Sequence, residues 1–341
     1  MKIKILCTLG PSSFSPDVIR GLDERGVHLL RINLSHTAPE ALEETIASVR
    51  AVSSTPICLD TQGAQVRCGR IQADVTLQEG AEVRLTDQPV TGDEREIPLW
   101  PGTVFEALAP GSKVSLDFDG AMLQIIAVEP GSARATVVSP GRVRSNKAVT
   151  VDPPLALPAL TEQDEAAIRI GAAHGITHYA LSFAASAANV ARIRELAPAG
   201  AHIMSKIESR AGVRNMDEII EASDSVLIDR GDLSREVPLE YVPYYQKAVV
   251  RRANRGNRPV YVATNLLESM VSNRQPTVAE VNDIANTLLD GVHGLVLAAE
   301  TAVGLDPVGS VDIVLRAIEA FERTSEGHLL AEDRVFSTRA S

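Results

Sequence analysis

Eight short runs rich in Val, Ile and Leu recur along the chain, and amphipathic segments separate most of them. They cover residues 3–9, 28–33, 56–60, 177–183, 202–206, 225–229, 259–264 and 294–299. The runs alternate little between apolar and polar, which is how strands buried on both faces read. The segments between them carry helix signals. Ser15-Pro16 places Pro at a first helical position, and Thr161 precedes a run of acids suited to a helix N-terminus. Apolar spacing predicts further helices over 39–49, 187–196, 215–222, 241–254, 278–289 and 310–321. Gly26, Gly175 and Gly291 fall where C-terminal caps belong. Strand and helix in alternation dictate a parallel sheet. Eight such units point to an α/β fold, the closed TIM (β/α)8 barrel. A doubly wound open sheet is the alternative, and no glycine-rich dinucleotide fingerprint follows the first strand to support it.

One link breaks the rhythm. Between Asp60 and Thr161 the chain has short strand-like pieces at 83–85, 113–116, 122–128 and 135–138. Turn pairs such as Glu79-Gly80, Pro110-Gly111, Asp119-Gly120, Pro130-Gly131 and Pro140-Gly141 punctuate them. This predicts a small β-barrel inserted after strand three. Such an insertion leaves from the catalytic face, so a lid role is expected. The expected division is 1–67 with 152–324 for the barrel, 68–151 for the lid, and 325–341 for a polar tail.

Composition bounds the function. Lys and Arg number 33 against 44 Asp and Glu, a net charge of −11. A field of that sign repels nucleic acid and anionic membranes. The three cysteines, Cys7, Cys58 and Cys68, are odd in number. Free thiols and a cytoplasmic location are expected. No run of about 18 apolar residues is present to span a membrane, and the N-terminal apolar run is too short for a signal peptide.

In a βα barrel the chemistry lies at the C-terminal ends of the strands. Those ends carry Arg31-Ile32-Asn33-Leu34-Ser35-His36, Asp60-Thr61-Gln62-Gly63, Lys206-Ile207-Glu208, Asp229-Arg230-Gly231-Asp232, Thr264-Asn265 and Glu300-Thr301. Each alone is a weak signal; their convergence is specific. Glu208 and Asp232 are hard oxygen donors suited to Mg²⁺ or Mn²⁺. Lys206 beside them would neutralise a phosphoryl group or an enolate. Arg31 and Arg67 offer planar forks for phosphate. Asn33, Ser35, Asp60 and Thr61 are oxygen ligands for a monovalent cation. The amides of Gly231 and Asp232 open a turn suited to a carboxylate. The implied substrate is a small phosphorylated carboxylate.

These motifs resemble the pyruvate kinase family. Thr8-Leu9-Gly10-Pro11-Ser12-Ser13 is similar to its opening segment, and Arg31–His36 and Leu59–Arg67 to its second- and third-strand motifs. Ser205-Lys206-Ile207-Glu208, Arg230-Gly231-Asp232-Leu233, the segment 263–270 and Glu300-Thr301-Ala302-Val303-Gly304 complete the set. The resemblance runs from residue 4 to about 322. It implies phosphoryl transfer from phosphoenolpyruvate to ADP through a Mg-bound enolate, a glycolytic reaction giving pyruvate and ATP, with K⁺ as a second cation. Carried over by position, Glu208 and Asp232 hold Mg²⁺, and Lys206 stabilises phosphoryl and enolate. Thr264 holds substrate and relays a proton. Arg31, Arg67 and Lys147 contact phosphates, His36 lies near the nucleotide, and Asn33, Ser35, Asp60 and Thr61 hold K⁺. The family's C-terminal domain has no counterpart in this sequence, so sugar-phosphate activation is not expected; barrel helices remain a surface for a homo-oligomer.

The sequence also departs from the family pattern. Gln62 and Gln65 replace charged residues, and Gln65 lies where the family's charge correlates with K⁺ dependence. Thr37 and Ser234 replace glycines, and Asn265 replaces a Gln. Asp229 stands where the family has a small residue. At an effective dielectric of ~20, an unpaired like charge ~4 Å away costs about 4 kcal/mol. Asp229 therefore pairs with a neighbour such as Arg230, turns away, or serves a different substrate. The last case is a retooled metal-dependent lyase, aldolase or decarboxylase that acts on a 2-oxo acid through the same enolate without nucleotide. A non-catalytic metabolite sensor is a third reading, and the retained Lys206 argues against it.

Overall fold

The computed structural model describes residues 2–73, 75–116, 120–152, 155 and 157–325. The expected tail from 326 onward and the Asp119 half of one turn lie outside the described residues. Two compact units are present, Met1–Gly63 with Ala159–Ser341, and Ala64–Pro158.

The first unit is a closed barrel of eight parallel strands. They are β1 (Lys4–Leu9), β2 (Leu29–Asn33), β3 (Ile57–Asp60), β4 (His178–Leu181), β5 (His202–Lys206), β6 (Ser225–Asp229), β7 (Val260–Ala263) and β8 (Gly294–Leu297). Each expected run contains one of them. Each pairs with its sequence neighbours among the eight, and β8 closes onto β1. Helices form where the caps direct. Ser15 accepts from the Val18 amide ahead of Pro16–Glu24, and Thr161 forms a reciprocal capping box with Asp164 ahead of Glu162–Ala173. Gly26, Gly175 and Gly291 all have positive φ.

Side chains on a strand alternate in direction, which stacks the barrel interior in layers. Leu6, Leu29, Cys58, Ala180, Met204, Leu227, Tyr261, Ala263 and Val296 form one buried apolar cluster with a member on every strand. The intervening residues, such as Ile5, Cys7, Ile32, Leu59, Ile203 and Ile228, join the separate core beneath the helices. Two residues toward the N-terminal ends lie Lys4, His178 and His202. Two residues toward the C-terminal ends lie Thr8, Arg31, Asp60, Ser182, Lys206 and Asp229, all buried.

The second unit is a closed seven-strand barrel. Around it run Ser132–Ser139, Glu82–Thr86, Glu96–Trp100, Val66–Cys68, Ala148–Asp152, Lys113–Leu116 and Met122–Glu129. It has its own core, including Val83, Leu85, Ile97, Leu116, Leu123 and Val149. Cys7, Cys58 and Cys68 are all buried. Among the described residues no helix is long and apolar enough to cross a membrane.

The lower layer has a consequence for stability. The His178 and His202 rings lie 5.5 Å apart, and His202 Nε2 is 2.8 Å from Ser225 Oγ. Burial lowers the pKa of both; Lys4 lowers both further, Arg194 adds to this at His202, and Asp224 opposes it there. The unfolded chain therefore binds protons at these rings before the folded chain does. Their stabilising contribution is complete above about pH 6.5 and is lost as pH falls below it. Thermal midpoints measured from pH 7.5 to 5.5 should fall more steeply in the native chain than in a His178→Gln, His202→Gln double variant.

Candidate active site

The upper polar layer of the barrel is one connected cluster. Lys206 Nζ, at the end of β5, donates to Ser182 Oγ at 3.1 Å. It lies 3.2 Å from Glu208 Oε2, 3.5 Å from Asp60 Oδ2 and 3.9 Å from Asp229 Oδ2. Burial alone lowers its hold on the proton, and the three carboxylates more than offset that, so the ammonium is held charged. Arg31 donates from Nε to Asp60 at 2.7 Å, from Nη2 to the same oxygen, and from Nη1 to Thr8 Oγ1 at 2.7 Å. Ser182 donates in turn to the Thr61 carbonyl at 2.6 Å, and Thr61 Oγ1 accepts the Ser182 amide at 2.9 Å.

Asp229 ends β6 and begins the helix Arg230–Glu236. Its Oδ1 accepts from Thr264 Oγ1 at 2.6 Å, from the Gly231 amide at 3.1 Å and from the Asp232 amide at 3.4 Å. These are the two amides expected to face a ligand carboxylate. An Asp preceding a helix takes such orphan donors for itself, so here the carboxylate on these amides is Asp229. Arg230, the partner expected for Asp229, is also engaged elsewhere. It donates to the Thr264 carbonyl at 3.0 and 2.7 Å and to Asp283 at 2.7 Å. That grip holds Thr264 at φ 73°, a left-handed conformation rare for a β-branched residue. A Cβ on residue 231 would come within 2.7 Å of Thr264 Cγ2, which explains the glycine.

One oxygen each from Glu208, Asp229 and Asp232 lies within 4.8 Å of the others. Glu208 Oε1 accepts the Phe183 amide at 2.8 Å, while Oε2 is buried and accepts no hydrogen bond. Burial pushes the Glu208 carboxyl up to about 8, and neighbouring Asp232, Asp229 and Asp60 add to this against Lys206. Burial and Asp229 likewise raise Asp232, whereas Lys206, the Thr264 hydroxyl and Arg31 outweigh burial at Asp229 and hold it down. Three carboxylates around a buried oxygen that meets the Lys206 ammonium at 3.2 Å and accepts no hydrogen bond fit a hard divalent cation.

The expected monovalent-cation residues meet in part. Register pairs Asn33 with Asp60. Asn33 Oδ1 accepts the Ser35 amide at 3.0 Å, and Ser35 and His36 are exposed. Arg67 and Lys147 belong to the second unit, Lys147 just before the strand Ala148–Asp152: Arg67 pairs with Ala148, and the Cys68 amide donates to the Lys147 carbonyl at 2.8 Å. Arg67 donates to the Asn146 carbonyl at 3.0 Å and to Gln65 Oε1 at 2.6 Å.

Sequence reasoning missed Ser182 and the full part played by Asp164. Asp164 is wholly buried and accepts from the amides of Gln62 at 2.6 Å, Gly63 at 3.1 Å and Thr161 at 3.0 Å, and from Thr161 Oγ1 at 2.8 Å. It thereby fixes the loop leaving β3. Only the capping pattern, read as a helix start, hinted at it.

A barrel enzyme with a buried lysine among metal-type carboxylates, and a second β-barrel inserted after β3, is the class that fold and site define. The family model described as pyruvate kinase, barrel domain, matches residues 1–311. The chain is 36% identical over 329 residues to pyruvate kinase of Methylorubrum extorquens, covering 94% of this chain and 69% of that protein. It is 35% identical to pyruvate kinase of Geobacillus stearothermophilus (98% and 61%) and 35% identical to that of Thermococcus litoralis (95% and 70%). The chain belongs to the pyruvate kinase family, whose members are metal-dependent phosphotransferases. It spans between 61% and 70% of the length of these three relatives.

Asp164 yields a direct test. Asp164→Ala removes a cap and leaves buried amides without an acceptor, a loss of about 3 kcal/mol. Urea unfolding should show the midpoint drop, with Asp164→Asn losing less.

Proposed function

We propose that the chain transfers a phosphoryl group from phosphoenolpyruvate to ADP, giving pyruvate and ATP. The observation that carries this is the Lys206 ammonium, held charged in a buried carboxylate cluster at the C-terminal ends of the strands.

Lys206 offsets charge on the moving phosphoryl group and on the enolate oxygen as it forms. Asp60 and Thr8 take three of the five N–H groups of Arg31, which leaves two for phosphoryl oxygens. Thr264 Oγ1 carries a proton at the edge of the same pocket and relays one to the enolate carbon. Arg67, Lys147 and His36 contact phosphates of the nucleotide. Glu208 and Asp232 hold Mg²⁺ or Mn²⁺, which when bound supplies positive charge against phosphoryl and enolate oxygens. Asn33, Ser35, Asp60 and Thr61 hold K⁺. The buried thiols of Cys7 and Cys58 suit a reducing compartment, and the cytoplasm is the proposed location.

One observation favours a second reading. Asp229 already places a carboxylate on the Gly231 and Asp232 amides and on Thr264. A 2-oxo acid lyase working through the same enolate would use a pocket modified in this way and would need no nucleotide.

Pyruvate release from phosphoenolpyruvate with Mg²⁺, measured with and without ADP, separates the two. Phosphotransfer requires ADP-dependent release. Pyruvate released from a larger 2-oxo acid without ADP, and none from phosphoenolpyruvate, supports the lyase. Lys206→Met should lower turnover about a hundredfold or more in either case; an unchanged rate removes both. Replacing K⁺ with Na⁺ in the same assay tests the monovalent site: activity should fall, and equal rates in the two buffers would count against a K⁺ requirement.

A further inference from the structure

We propose that Asp229 is a third protein ligand for the divalent cation, so that the free protein takes up the ion before any phosphorylated ligand arrives. The proposal rests on the metal reading of the pocket and is independent of which substrate follows. Four observations carry it. First, oxygens of Glu208, Asp229 and Asp232 lie mutually within 4.8 Å. Second, Asp229 is fixed: the Thr264 hydroxyl and two amides pin Oδ1. For Oδ2 the recorded cation contact is Lys206, 3.9 Å away. Third, Glu208 is wholly buried, and its Oε2 accepts no hydrogen bond and meets the Lys206 ammonium at 3.2 Å. Fourth, four carboxylates, Asp60, Glu208, Asp229 and Asp232, gather around the buried cations Arg31 and Lys206, and Arg235 reaches Asp232 at 3.0 Å from the solvent side. A dication among them would favour the ionised form of all four.

Mg²⁺ sites with one or two carboxylates lean on substrate phosphates to complete the shell. A third carboxylate adds charge and a rigid ligand, so the ion no longer waits for substrate. The same carboxylate also accounts for the tight N-cap at Arg230–Glu236, and the test must therefore separate ligand from cap. Asp229→Asn and Asp229→Ser each keep a side-chain oxygen for capping while removing the charge.

The experiment is a Mn²⁺ titration of the full chain without substrate, followed by the electron paramagnetic resonance signal of free Mn²⁺. Circular dichroism and thermal midpoints are measured on every variant. The native chain should bind one Mn²⁺, and Glu208→Gln, Asp229→Asn and Asp229→Ser should each weaken it at least about tenfold. Folded Asp229 variants that bind Mn²⁺ as tightly as the native chain would reduce Asp229 to a cap and overturn the proposal. Mn²⁺ uptake by the native chain only after phosphoenolpyruvate is added would overturn it as well. Failure of the phosphotransfer reading shows separately, as absent ADP-dependent pyruvate, and leaves the Mn²⁺ result standing.

Discussion

Neighbouring side chains on a strand point to opposite faces, and eight parallel strands held in register turn that alternation into horizontal layers. One step along β5 separates Met204, in the apolar layer, from Lys206, in the polar one. The corresponding steps from Leu29 to Arg31, Cys58 to Asp60 and Leu227 to Asp229 bring the other charges to the same height. A lysine ammonium buried without partners costs several kcal/mol. Here it is tolerable because carboxylates at the ends of three strands surround it. The fold and the clustering of charge thus have one origin.

Much of this was legible before the structure. Parallel strands buried on both faces leave continuous apolar runs, so all eight were located, along with most of the polar residues at their ends. What escaped notice depends on partners remote in the chain. Ser182 gains its role from Lys206, 24 residues on, and Asp164 from Gln62, 102 residues back. Neither residue type signals such a partner locally. In the second unit, Glu96–Trp100 went unrecognised because Pro98 argues against a strand, and Val66–Cys68 is too short to show alternation. The choice among the alternatives for Asp229 needed the β6–β7 register, which sets Asp229 beside Ala263 and so within reach of Thr264.

The end of β7 shows how strain is held at the site. Thr264 and Asn265 both have positive φ, 73° and 57°. Conformations of this kind cost about 1–3 kcal/mol each. Arg230 offsets part of it with two hydrogen bonds to the Thr264 carbonyl, and Asp283, on the helix Val278–Leu289, anchors Arg230. The orientation of the Thr264 hydroxyl therefore depends on a carboxylate that belongs to an outer helix and touches none of the reacting groups.

Asp164 also bears on how such a chain assembles. Its carboxylate bonds the amides of Gln62 and Gly63, the last residues before the second unit departs, and Thr161, which follows its return. Exit and re-entry are therefore fastened by a single side chain belonging to the barrel. Closing a long loop costs only about 0.6 kcal/mol more for each doubling of its length. To the barrel, residues 64–158 amount to one long loop whose two ends are already fastened together. The length and internal structure of the insertion thus weigh little on barrel closure, and each unit is free to change its sequence or to fold on its own schedule.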